Sequence, residues 1–266
     1  MKIGIFDSGL GGLKIAKSVI QHLPRYDYIY LGDTKRVPYG NRSQETIYQF
    51  TKECVEYLFK HNCVVVIVAC NTASARALRK LQRTWLSHRY PERRVLGVIV
   101  PTIETVAEKG CKRVGVIATQ ASVNSKTFVK EFKKRAPQVN IVQHAAPLLV
   151  PLIENNGKPW MQSAVHYYTK PLLKKKIDAI ILGSTHYTVI KRAVQKAVGK
   201  NVKVISQDDI IPRALADYLQ RHPELERRVS RKRRRSFLVT DITPHFQKTS
   251  TQWFGKHVRL KKVNIA

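Results

Sequence analysis

The feature that most constrains this chain is its rhythm. Short, mostly apolar runs rich in β-branched residues recur between longer amphipathic stretches along nearly the whole sequence. The runs at residues 3–6, 28–31, 64–69, 95–98, 114–117, 140–143, 179–182, 202–205 and 237–239 are expected to be strands. Residues 43–60, 73–87, 125–136, 159–175 and 189–198 carry a helical apolar period. Strands apolar on both faces need cover on both faces, which a parallel sheet with helical crossovers provides. The predicted class is α/β, doubly wound.

The rhythm also repeats on a larger scale. In the first half, a strand runs into Asp7-Ser8-Gly9, and a second strand ends at Cys70-Asn71-Thr72. In the second half, a strand runs into Ala118-Thr119, and another ends at Ser184-Thr185-His186. Asp7 and Cys70 are 63 residues apart, Thr119 and Ser184 are 65. Two similar half-molecules would each offer the carboxyl ends of their strands, which is where open α/β sheets bind ligands. Two generic strand–turn–helix units could match this way by coincidence, but the chemical likeness of the paired positions strengthens the repeat.

At 266 residues the chain is long enough for two cores. The longest uninterrupted apolar run, residues 63–70, is too short to span a bilayer. The first residues read straight into a strand and a glycine turn without the apolar region of a secretory signal, so a cytoplasmic protein is expected. Cys54, Cys63, Cys70 and Cys111 form no C-x-x-C pair and have no clustered histidines, so no metal site is expected, and most are read as reduced, buried thiols. Forty-eight Lys and Arg against 18 acidic residues give a net charge of +30. Residues 221–235, RHPELERRVSRKRRR, are the densest basic stretch. Such a balance attracts polyanions non-specifically. The excess is spread along the chain, without interleaved aromatics or a nucleic-acid module, which favours a solvated surface over a dedicated interface.

Chemistry concentrates at the strand ends. Cys70 follows a buried strand and precedes a helix that begins with Asn71 and Thr72, both good capping residues. A thiol there would feel the positive end of the helix dipole, favouring thiolate, and the exposed amides could hold a carboxylate. The bland alternative is a structural buried cysteine. Ser184 and Thr185 could be site residues or simple caps; His186 could be a base, an orienting group or a core histidine. Asp7-Ser8-Gly9-Leu10-Gly11-Gly12 lets backbone amides approach an anion, but its spacing is not the dinucleotide fingerprint. Asp7 could tune a neighbouring acid or base. The stretch 32–40, GDTKRVPYG, is a polar loop after the second strand, and a plain turn is its default reading.

Together, FDSGLGGL, GDTKRVPYG, ACNTASA, APLLVPLIE, LGSTHY and FLVTD resemble segments of the glutamate racemase family, in that family's order and over essentially the whole chain. The resemblance implies two pseudo-symmetric α/β domains with the active site in the cleft between them. The first would hold residues 1–96 and 208–266, the second residues 97–207. It implies interconversion of L- and D-glutamate for peptidoglycan synthesis, without cofactor or metal, by two cysteines on opposite faces of the α-carbon. Cys70 matches the first cysteine, with Asp7 assisting it. Ser184 stands where the family has the second, and His186 would assist there. Asp33 and Glu154 match acidic residues around the site. Asp7, Ser8, Pro38, Tyr39, Gly40, Asn71, Thr72, Thr119, Thr185 and His186 match substrate contacts. The family is often homodimeric, and some members bind and inhibit DNA gyrase. A regulator of gyrase, or a nucleic-acid binder with an impaired active site, is therefore the alternative reading.

This chain departs from the pattern at Ser184, at Val100 and Ala146, and in its basicity. A serine hydroxyl is a far weaker acid than a thiol, so a two-thiol cycle would be crippled at Ser184. Three accounts of Ser184 stand side by side: an introduced substitution, a natural one with the second proton drawn from His186 or water, and a non-catalytic relative.

Overall fold

A computed structural model describes residues 1–255 and 258–265; Ala266, the last residue of the expected C-terminal segment, lies outside them. The strands are β1 Lys2–Asp7, β2 Tyr28–Gly32, β3 Cys63–Val68, β4 Arg94–Gly97, β5 Arg113–Ala118, β6 Asn140–Ala145, β7 Ala179–Gly183, β8 Lys203–Ile205, β9 Arg235–Val239 and β10 Leu260–Lys262. They form two wholly parallel sheets, one of six strands ordered β10-β9-β2-β1-β3-β4 and one of four ordered β6-β5-β7-β8.

The internal repeat is visible in this order. The run β2-β1-β3-β4 in the large sheet has the same connectivity as β6-β5-β7-β8 in the small one. β9 and β10 extend the large sheet beyond β2. Register then sets the chemistry. Phe6 pairs with Val68, so the chain leaving β1 at Asp7 lies beside the chain leaving β3 toward Cys70. Ala118 pairs with Gly183, so Thr119 and Ser184 leave their strands side by side.

The central strands are apolar because both faces are covered. All six residues of β3 and all five of β7 are buried. Fully burying side chains such as Ile3 and Ile5 contributes about 1.5–3 kcal/mol each. One continuous core cluster runs from β1 into the second sheet, through Ile5, Val98, Val106, Val116, Phe132 and Leu215. The two halves therefore share a hydrophobic seam. The helix Gly12–His22 packs against the helix Gln207–Arg221, bringing the end of the second half back onto the first.

The expected helix over residues 73–87 is interrupted. Asn71–Arg76 ends at Ala77, a short turn Leu78–Lys80 follows, and Leu81–Leu86 takes the wider π-type winding before Ser87–Arg89. The winding keeps Leu81 and Leu86 buried against the first-half core. Among the described residues no helix is long and apolar enough to cross a membrane. The four cysteines are free and buried, as their composition suggested.

Candidate active site

Cys70 caps its own helix. Its Sγ accepts from the amide of Ala73 at 3.4 Å and lies 3.3 Å from the Ser8 hydroxyl. Asn71 and Thr72 are the first helical residues instead of the cap. The dipole expectation for the thiol is reversed. Burial, then the nearby Asp7 carboxylate, push Cys70 up to about 11, outweighing the bonds from Ser8 and Ala73. The helix is only six residues long, and Cys70 is 5 % exposed, so lost hydration outweighs a short dipole. Burial and the Asp7 charge both favour the thiol over the thiolate.

The amides of the glycine loop are engaged by the chain's own Asp7 carboxyl. Its Oδ2 accepts from the amides of Gly9 and Gly12 at 3.1 and 3.0 Å. Its Oδ1 accepts from the Thr185 hydroxyl at 3.4 Å, across the cleft from the other half. Burial raises the Asp7 carboxyl; the charge of His186 and the amides of Gly12 and Gly9 oppose that. Gly11 is held to glycine by the same juncture. A Cβ there would sit 2.4 Å from Thr185 Oγ1 and 2.6 Å from His186 Nδ1.

Ser184 occupies the strand end opposite in the pseudo-symmetry. It precedes the 3₁₀ turn Thr185–Ile190, but its hydroxyl does not cap that turn. It is 5 % exposed, and among the described residues its hydroxyl has no hydrogen-bond partner. The capping reading therefore fails for Ser184. Beside it, His186 Nε2 lies 2.8 Å from Glu154 Oε1. Burial raises the Glu154 carboxyl, but the bond to His186 and the charges of His186 and His245 outweigh it and hold the group below its usual value. The imidazole also meets the Trp253 indole edge-on, centroids 5.6 Å apart.

The remaining predicted residues gather in part at the same junction between the two halves. Thr72 and Thr119 hydroxyls meet at 3.0 Å across the two halves, and Thr119 also caps the helix Gln120–Asn124. Gly40, on the short turn Tyr39–Asn41, faces Thr119; a Cβ there would lie 3.5 Å away. Pro38 is exposed just before that turn. Asp33 is the anchor of this loop. Its Oδ2 accepts from Tyr39 Oη at 2.5 Å and Arg36 Nε at 2.6 Å, and its Oδ1 from Thr240 Oγ1 at 3.0 Å. Every observed partner of Asp33 is a loop-holding group, so the plain-turn reading of residues 32–40 gives way to a braced loop at the cleft. Asn71 is engaged by Gln207 through two reciprocal amide bonds, both 2.7 Å and both buried. Gln207 and Trp253 escaped the sequence reading: nothing in their local pattern points to Asn71, 136 residues away, or to His186.

This arrangement presents a thiol and a hydroxyl at matching strand ends of the two sheets, the thiol with the Ser8 hydroxyl and the Asp7 carboxyl beside it. A profile of Asp/Glu/hydantoin racemases matches residues 13–211. The chain belongs to the Asp/Glu/hydantoin racemase family. Within it, the chain is 41% identical to a glutamate racemase of Roseobacter denitrificans over 84% of this chain and 87% of that one. It is 35% identical to a glutamate racemase of Dinoroseobacter shibae over 99% of both. Among solved structures, glutamate racemase from Bacillus anthracis superposes with a TM-score of 0.89 at 31% identity, covering 99% of this chain and 97% of that one. The Francisella tularensis enzyme in complex with D-glutamate gives 0.88 at 31% identity, with the same coverage. These racemases share the two parallel-sheet α/β domains found here.

Proposed function

We propose that this protein is a glutamate racemase whose two proton-transfer faces are unequal. The observation that carries this reading is the pairing of Cys70 and Ser184 at equivalent strand ends, within a family of racemases. On one face, Cys70 as thiolate takes the α-proton from Cα, or as thiol delivers one to the carbanion. On the other, Ser184 cannot rest as an alkoxide, and the Glu154–His186 pair, which begins two residues along the chain at His186, is a group able to hold a proton. Inversion consumes one proton from one face and releases one on the other, so the residues involved exchange protonation states and no redox partner is needed.

The free Ser184 hydroxyl, Ser8, Thr72, Thr119 and Thr185 supply donors for the carboxylates of an amino acid. Asp7 is read as a positioning residue between Cys70 and His186, Asp33 as the anchor that places Tyr39, Gly40 and Pro38. Supply of D-glutamate for peptidoglycan is the role this reading assigns. We place the domains at residues 1–96 with 208–266 and at 97–207; supporting this, β1–β3, β9, β10 and all of β4 but Gly97 fall in the first and β5–β8 in the second.

The test is the decay of optical activity from pure L- and pure D-glutamate, with this chain and with Ser184→Cys. Slow inversion by the chain and a large gain in the cysteine variant support the reading. Absence of inversion by both proteins refutes it.

A further inference from the structure

All six strands of the large sheet are parallel, so every segment entering them lies at one end, opposite Asp7 and Cys70. The segments are stitched together there. The N-terminal ammonium donates to Arg228 O at 2.8 Å, Ser230 N to Met1 O at 2.7 Å, and Asp27 N to Ser230 O at 2.9 Å. Lys2 N donates to Asn62 O at 2.8 Å, and Arg228 pairs with Glu92 at 3.4 Å. The basic stretch ending at Arg235 is thereby joined by Lys2 and Arg94, the first residues of β1 and β4, and by Lys60 at the end of the helix before β3, where Glu56 approaches it to 4.0 Å.

The less exposed carboxylates at this pole are engaged, while Glu92 and Glu224 stay largely exposed beside Arg228 and His222. Asp27 is buried and accepts from the Arg234 amide; Glu226 takes Tyr26, Arg25 and both bonds of Arg231. Arg227, Lys232, Arg233 and Arg234 are exposed, and among the described residues none has a carboxylate within 4.0 Å. The sheet is about 24 Å wide across six strands at ~4.8 Å spacing. A duplex carries one negative charge per about 1.7 Å of axis, so this width meets several phosphates at once. Arginine predominates, whose fork suits phosphate oxygens. The large exposed apolar side chains, Leu148, Trp160, Tyr167, Val189 and Ile242, all lie in other segments. The pole thus offers neither a stacking platform for single strands nor a wedge for a bilayer.

We infer that the strand-entry pole of the large sheet is a sequence-independent binding surface for the phosphate backbone of duplex nucleic acid. It is independent of the catalytic cleft, and its occupant is recognised by charge spacing alone.

The test is fluorescence anisotropy of a mixed-sequence 30-bp DNA duplex against the full chain at several KCl concentrations. Four phosphate contacts predict a loss of about 100-fold in affinity between 50 and 200 mM salt. The variant Arg227→Gln/Lys232→Gln/Arg233→Asn/Arg234→Gln is expected to lose at least about tenfold at 150 mM and most of the salt slope, with glutamate turnover unchanged. A control of equal charge loss, Lys133→Gln/Lys134→Gln/Lys174→Gln/Lys175→Gln, is expected to retain binding. Equal weakening by the control shows generic attraction and overturns the inference. So does unaltered binding in the first variant, or tighter binding to phosphatidylserine vesicles than to the duplex at matched salt.

Discussion

Replacing Asp7 by Asn isolates the electrostatics of the Cys70 thiol. The shape is conserved: the amide oxygen can still accept from Gly9 and Gly12, and the amide nitrogen can donate to Thr185. Only the charge is removed. Burial is the larger cause of the raised thiol and Asp7 the second, together lifting it from an ordinary 9.0 to about 11. At pH 8, a thiol at about 11 is ionised in about one molecule in a thousand. The whole displacement corresponds to about a hundredfold in thiolate, and burial persists in the variant, so Asp7→Asn is expected to raise the thiolate fraction roughly 3- to 30-fold. The assay is alkylation of Cys70 by iodoacetamide from pH 7 to 11, followed by peptide mass mapping to separate it from Cys54, Cys63 and Cys111. Nucleophilicity falls with thiol pKa, so the inflection of the pH–rate curve is the decisive quantity, and it is expected to move downward. An inflection that stays in place or moves up, in a variant with unchanged thermal midpoint, refutes the electrostatic reasoning.

Glu154→Gln keeps a hydrogen-bonding partner for His186 but removes its counter-charge; α-proton exchange on the Ser184 face is expected to slow about 10- to 100-fold, while exchange through Cys70 changes little, as read by proton NMR with each enantiomer. Gly11→Ala places a methyl at 2.4 Å from Thr185 Oγ1 and 2.6 Å from His186 Nδ1, so about 1–3 kcal/mol of stability is expected to be lost in urea unfolding and KM for glutamate to rise. Cys70 and Cys63 are held by burial at about 11 and about 12. Both are raised above their unfolded value, so the stability they contribute is complete below about pH 9 and is lost as pH climbs through 11 and 12. Urea midpoints are expected to decline across that window, and a flat or rising profile contradicts the assignment.

The sequence carried the fold because the decisive signals are local. Nine strands announce themselves as apolar β-branched runs, and the repeat of strand ends exposes the common connectivity of the two sheets. β10 was not legible, because a three-residue edge strand containing two lysines has no buried face to advertise it. The break at Ala77 was hidden for a related reason: the apolar period continues through the wider winding. Of the candidate site, the placement of Cys70, Asp7 and Ser184 at strand ends was legible. The raised thiol was not, since burial and the approach of Asp7 are tertiary facts. Nor were the Gln207–Asn71 amide pair and the Trp253–His186 contact, which join segments far apart in the chain. The three bonds of Asp33, to Tyr39, Arg36 and Thr240, are likewise not legible, because they depend on the strand order that brings β9 beside β2.

The central claim is that two proton-transfer faces exist and that Ser184 disables one. Its most direct measurement is α-proton exchange in D2O, followed by NMR, with L- and D-glutamate supplied separately to this chain and to Ser184→Cys. The account predicts rapid exchange with one enantiomer only, through Cys70, slow inversion, and fast exchange of both enantiomers once the second thiol is present. Equal, rapid exchange of both enantiomers by the unaltered chain, or no exchange by either protein, would contradict it.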